Sequence, residues 1–270
     1  MKQELIKEIE LIPMLPESIL KIEKVYANPE SSIKEMTAAL ESDPLMVANI
    51  LKIANSPLYG FSREIKDIAQ AVSLYGKDTI RSFALSIAAN KCVPINVDPY
   101  SISVSGYIKK AQVQNALITN WIGKTDRQAL ALLAPASFLV EIGKIIISQY
   151  LEKNNLSSEF KSDLSQNHSY EKSELHLCGS RSYDVAATIF FNWNFNSDLV
   201  HLVRYADEPD DALDEETKHL AKYLKIAKDV VNFNGEITEE SLKEATDLIE
   251  EFGLDLDSFN NAIEKIQNAA

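Results

Sequence analysis

The sequence predicts an all-α fold. Glycine is scarce, with 8 in 270 residues, two-residue hairpin signals are weak, and apolar residues recur at spacings of three and four where strands would alternate at two. With 46% hydrophobic residues the chain can bury a continuous core.

The elements follow in order. A first helix over residues 2–9 stops before Pro13, and a second over 17–27 ends at Asn28 and Pro29. Ser32 and Glu35 have capping-box spacing and open a third, which runs to about Ser42. Asp43 caps a fourth over 44–55, with Pro44 at its first position, where no amide hydrogen is needed. Its residues Met46, Val47, Ile50, Leu51, Ile53 and Ala54 cover more than one face, which predicts an internal element. Two helices follow: 67–75, closed by Gly76 in a left-handed C-cap, and 78–91, opened by Asp78.

Pro94 and Pro99 interrupt the chain and set a boundary between an N-terminal helical lobe, 1–94, and a second lobe, 95–210. Helices are predicted there at 101–122, 126–133, 137–151, 158–166, 170–177, 182–192 and 197–205. The polar stretch 208–216 predicts a loop, followed by a helix over 214–232 that ends at Gly235. Beyond Thr238 the narrow stripe Leu242, Ala245, Leu248, Ile249 and Phe252, then a last helix over 258–266, predict a C-terminal extension, 211–270, packed by one face on the second lobe.

Composition narrows the function. The formal charge of -13 disfavours a phosphate backbone, so no nucleic-acid partner is expected. Cys92 and Cys178 stand apart, in no CxxC pairing, which suits two free thiols in a reducing compartment. Acids interrupt the apolar repeat of MKQELIKEIELIPMLP, unlike a secretory leader. The most apolar stretch, 129–140, contains Pro135 and meets Glu141 and Lys144, so it is expected to be a core helix with no membrane span. A cytoplasmic location is the expectation. Glycine-rich phosphate loops, GxSxG and kinase signatures do not occur in the sequence.

Three motifs carry a resemblance. SDPLMVANILKIANSPLYG at 42–60, with LPESILKI upstream and IAQAVSLYG downstream, resembles the HDOD family of bacterial signalling domains. The likeness covers roughly 9–209, including Asp43, Pro44, Asn55 and Ser56, with Ala71, Val72, Tyr75 and Gly76 at the family's AI..LG motif. It implies an HD-domain/PDEase-like helical fold related to metal phosphohydrolases, in proteins of signal transduction, motility control and cyclic-dinucleotide pathways.

In HD enzymes, histidines and an aspartate hold a metal that activates water. Against that pattern FLVEIGKIII, 138–147, places Val140 and Glu141 at the His-Asp pair. Lys109 or Lys110 falls nearest the earlier histidine, Ser182 near a later one, and Tyr205 at the last. No imidazole remains, so no metal, cofactor or catalytic residue is expected. A lysine could fill the space of the lost cation and pair with Glu141, but two solvated charges on separate faces are the plainer expectation. Asn55, Ser56 and Tyr59, at the end of the fourth helix, are candidates for a ligand or partner groove between the lobes, although helix termination accounts for Asn55 and Ser56. His168, His176, His201 and His219 lack i, i+4 pairing and are expected to be exposed or capping.

The resulting expectation is a non-enzymatic regulatory protein that binds protein partners and responds to a nucleotide or other small ligand. A metal-dependent phosphohydrolase acting on a nucleotide or phosphoester through Glu141 is the alternative.

Overall fold

The computed structural model describes residues 1–59, 63–123 and 125–269. The described residues form helices joined by short connections, with one isolated antiparallel bridge between Val231 and Ile237. The helices are α1 (Gln3–Glu10), α2 (Glu17–Tyr26), α3 (Ile33–Glu41), α4 (Pro44–Ala54), α5 (Ile68–Cys92), α6 (Val104–Ile122), α7 (Arg127–Leu139) and α8 (Ile142–Lys153). They continue as α9 (Ser157–Asn167), α10 (Tyr170–Cys178), α11 (Ser182–Asn192), α12 (Ser197–Arg204), α13 (Glu215–Val230), α14 (Glu239–Phe252) and α15 (Leu256–Gln267).

The local signals act as read. Ser32 and Glu35 form the capping box, and Asp43, Asp67, Asp126 and Asp214 each accept a backbone N–H at a helix start; Ser103 and Asp255 cap α6 and α15, against the starts expected at 101 and 258. Helices α2 to α5 pack into an N-terminal lobe, and α7 joins it to the second lobe by packing on both α5 and α6. Helix α1 departs from the expected division: it packs on α8 and α11 of the second lobe, burying Leu5 and Ile9. The prolines of LIPMLP break the chain before α2 turns back into its own lobe.

Three further expectations change. Helix α4 is not internal, because Met46, Ile50 and Ala54 are buried while Leu45 and Ala48 face solvent. Gly76 has φ +79 and ψ 167, a kink within α5 that lies outside the αL cap geometry, and the Asp78 carboxylate accepts the Tyr26 hydroxyl at 2.7 Å. Pro135 does not end a helix, since α7 runs through it to Leu139 and the break falls at Val140 and Glu141. Proline at 135 deprives the Ala131 carbonyl of its helical donor, and Arg81 Nη1 donates to that carbonyl instead, at 3.3 Å. Arg81 is itself held bidentate by Glu23, at 2.7 and 2.8 Å.

The apolar run is longer than expected: an 18-residue stretch within Arg127–Lys153 reaches a mean hydropathy of 2.0. By length and composition it could cross a membrane, but 89% of that 18-residue stretch is buried inside the protein, among the core residues of α7 and α8.

Candidate functional site

Of the predicted site positions, Lys110, Val140, Glu141 and Ser182 converge around the junction of α7 and α8. Val140 ends α7 as a buried apolar residue, and Glu141 follows in the turn. Lys110 on α6 and Lys144, one turn into α8, approach Glu141 from two sides, with Nζ to Oε1 at 3.6 Å and Nζ to Oε2 at 3.4 Å. Lys144 also reaches Glu174 Oε1 on α10 at 3.3 Å and donates to Ser182 Oγ at 2.9 Å. Glu174 further accepts the Tyr100 hydroxyl at 2.8 Å and the Ser182 N–H at 2.6 Å. These four charges are almost wholly enclosed, at 4% exposure for Lys110, 5% for Glu141, 3% for Lys144 and 0% for Glu174. The expectation of two solvated charges is therefore overturned. Burying single charges would be prohibitive, and the fold accommodates them as a neutral set of two ammonium groups and two carboxylates.

Lys110 is held by more than its ion pair. Its ammonium donates to the Lys228 carbonyl at 2.7 Å and to the Val231 carbonyl. Both belong to the C-terminal end of α13, where unsatisfied carbonyls carry partial negative charge. The turn beyond α13 covers the cluster, with Phe233 over Lys110 at 4.4 Å. Gly106 permits this approach, because a Cβ there would lie 2.2 Å from the Phe233 carbonyl oxygen.

The electrostatics follow from this geometry. Burial lowers the Lys110 pKa to about 8 against the opposing pull of Glu141. Burial also works against charge on Lys144, but Glu174 and Glu141 outweigh it and raise its pKa. Desolvation would raise the Glu141 pKa, yet Lys144 and Lys110 hold its carboxyl below the usual range. At neutral pH Glu141 is ionised and both its oxygens face protein cations.

A divalent cation does not fit this donor set. It would have to share Glu141 with ammonium groups at 3.4 and 3.6 Å, and Val140 supplies no ligand atom. Among the described residues no group of three or more His, Cys, Asp or Glu is arranged to hold a metal ion, and all four histidines are exposed.

The other named positions separate. Lys109 is exposed and lays its stem beneath Gly235, leaving Lys110 as the residue at the cluster. Tyr205 is the C-cap of α12, and Asp207, two residues on, is what reaches the cluster's edge by pairing with Lys228. Tyr59 is core, with its hydroxyl donating to Asn115 Oδ1 at 2.8 Å and its ring edge-on to Phe83, so it does not face a groove. Ser56 does line the cleft between the lobes, a cavity of about 470 Å³ bounded by α4, α5, α6 and the α7–α8 junction. Asn55, at φ -86, clamps the incoming chain. Its amide donates to the Leu51 and Ile65 carbonyls, each at 2.9 Å, and accepts the Ile65 N–H at 2.8 Å. Asn55→Ala is expected to lower stability by about 1–3 kcal/mol and to speed hydrogen exchange at the Ile65 amide. Unchanged exchange there would show that the clamp is immaterial. Gly60, the last residue of the motif, lies outside the described residues.

Lys144, Glu174, Tyr100 and Lys228 were not singled out in the sequence. Lys144 was detectable, since i, i+3 spacing within EIGK sets it beside Glu141, whereas Glu174, Tyr100 and Lys228 arrive from elements distant in sequence.

Residues 12–209 match the family profile of the HDOD domain. The chain belongs to the HDOD family. Among solved structures, this HDOD chain is similar to a virulence factor of Campylobacter jejuni subsp. jejuni, with 29% identity, a TM-score of 0.60, and coverage of 100% of this chain and 98% of that one. A protein of Shewanella amazonensis SB2B, provisionally named a phosphohydrolase, shares 20% identity with a TM-score of 0.70 over 98% of this chain and 94% of its own. One of Marinobacter aquaeolei VT8, provisionally named for signal transduction, shares 21% identity with a TM-score of 0.69 over 100% of this chain and 60% of its own. These two establish the shared HD-like helical fold. A Treponema pallidum (strain Nichols) relative described as uncharacterized is 29% identical over 83 residues, 31% of this HDOD chain and 16% of that one. The HDOD match ends at residue 209, so the α13 carbonyls that hold Lys110 come from outside it.

Proposed function

We propose that this chain is a regulatory HDOD protein of bacterial signal transduction that works in the cytosol by binding and carries out no phosphoester hydrolysis. The observation that supports this reading most directly is Glu141, whose two carboxylate oxygens are each engaged by a buried ammonium group. Hydrolysis of the HD type needs a cation that polarises water, and Glu141, which the resemblance sets at a metal-ligand position, is engaged by Lys110 and Lys144 instead. The cleft between the lobes is the binding surface, because pockets favour such junctions and Ser56 lies on its rim. Motility or cyclic-dinucleotide-linked control is the setting that the family resemblance suggests.

The competing reading is a phosphohydrolase. The test incubates the full chain with Mg²⁺ or Mn²⁺ and a panel of nucleotides and cyclic dinucleotides, alongside Glu141→Gln. The expected outcome is no metal-dependent turnover in either protein. Turnover by the parent protein that Glu141→Gln abolishes would overturn the proposal.

A further inference from the structure

The cleft between the lobes has a chemistry different from that of the chain around it. The protein carries 40 acidic residues against 27 basic ones, yet the described residues lining this cavity of about 470 Å³ include Lys52 and Lys91 and no carboxylate. Lys91 is partly neutralised by Asp43 at 3.6 Å, whereas Lys52 is exposed and has no ion pair with a described residue. Carboxamides of Asn49, Asn90 and Gln112 stand on the walls, and Ile53, Ile87, Phe138 and Ile142 supply apolar surface.

Two hydroxyls give an independent indication. Ser86 and Tyr107 are each only 5% exposed, both line this cavity, and neither hydroxyl has a hydrogen-bond partner among the described residues. Both hydroxyls open into the cleft, where the polar atoms of an entering ligand can bond them.

We infer that this cleft is a binding site for a small organic anion with an apolar, planar body. The anionic group lies against Lys52 and Lys91, the body against Ile53, Ile87, Phe138 and Ile142, and the ligand's polar edge meets the hydroxyls of Ser86 and Tyr107 and the amide of Gln112. The volume falls within the range of about 300–1,000 Å³ typical of small-molecule sites. The inference rests on the reading that the chain acts by binding, and its failure is distinguishable from the failure of that reading, since one test reads ligand affinity at Lys52 and the other reads turnover through Glu141.

The experiment titrates the full chain with 8-anilinonaphthalene-1-sulfonate, an aromatic anion that fluoresces on burial, and repeats the titration with Lys52→Glu. Lys52 is exposed, so its replacement leaves the fold intact. One saturable site per chain is expected, with Kd raised about tenfold or more by Lys52→Glu and by salt. Absence of a saturable site, or a Kd unmoved by Lys52→Glu, overturns the inference. Competition with adenosine 5′-monophosphate and with indole-3-acetate then identifies the headgroup: displacement by the first supports a phosphate, by the second a carboxylate. Displacement by neither overturns it, as does equal displacement by neutral N-phenyl-1-naphthylamine.

Discussion

Glu141→Leu is expected to lower the stability of the protein by about 3–5 kcal/mol, because removing one partner of a buried ion pair leaves the others uncompensated. Lys144 retains Glu174 at 3.3 Å after the change, but Lys110 loses its one carboxylate partner within 4 Å among the described residues. Its pKa already stands at about 8 with Glu141 present, so without it Lys110 sheds its proton near neutral pH, which caps the penalty. Adding Lys110→Met to Glu141→Leu should restore most of the loss, since buried pairs replaced together by apolar groups of similar volume are near neutral. Urea unfolding measures both variants through the midpoint at constant slope. A Glu141→Leu midpoint equal to the parent's would mean that the cluster contributes nothing to folding.

The same cluster predicts a pH dependence. The folded-state pKa of Lys110, about 8, lies below the ordinary 10.5. Above the folded value the native state has lost a proton that the unfolded chain still carries, so this residue's contribution to stability rises with pH between the two values. Lys144 behaves oppositely: its raised pKa contributes stability that is complete below the ordinary value and lost only above it. Comparing the parent with Lys110→Met from pH 7 to 9 isolates the first effect. The parent should gain stability relative to the variant as pH rises, and a constant difference would exclude an unusual Lys110.

Gly143→Ala is expected to be the other large effect, at about 3 kcal/mol or more. Gly143 lies in the first turn of α8 where that helix crosses the start of α11, and a Cβ there would lie 1.8 Å from the Ser182 carbonyl oxygen and 3.1 Å from the Ala186 nitrogen. Both obstacles are backbone, so neither can rotate away and the helices must separate. Separation also draws Ser182 from Lys144 and Glu174, whose hydrogen bonds to it measure 2.9 and 2.6 Å. Thermal unfolding should show a fall of roughly 6–12 °C for a chain of this size. An unchanged midpoint would show that α8 and α11 can slide apart freely.

The helix C-terminus that helps hold Lys110 belongs to the C-terminal extension. The charge cluster is completed by α13 and the turn after it, beyond the HDOD match that ends at residue 209. The extension is thus part of the site's architecture as well as a surface cover.

Local order was legible in the sequence because its causes are local. A side chain three residues from a backbone N–H caps it wherever the rest of the chain lies, so Ser32 with Glu35 and aspartates 43, 67, 126 and 214 marked helix starts correctly. What the tertiary structure alone decided depends on distance and burial. Pro135 continues α7 because Arg81, from another helix, bonds the carbonyl that the proline leaves free. Lys110 rather than Lys109 enters the cluster because the turn after α13 closes over one and leaves the other on the surface. Glu141 is buried and not solvated because Lys110 and Lys144 arrive within 3.6 Å to neutralise it. Charge in a protein interior is stable only in company, and the company comes from residues that adjacency in the chain does not reveal.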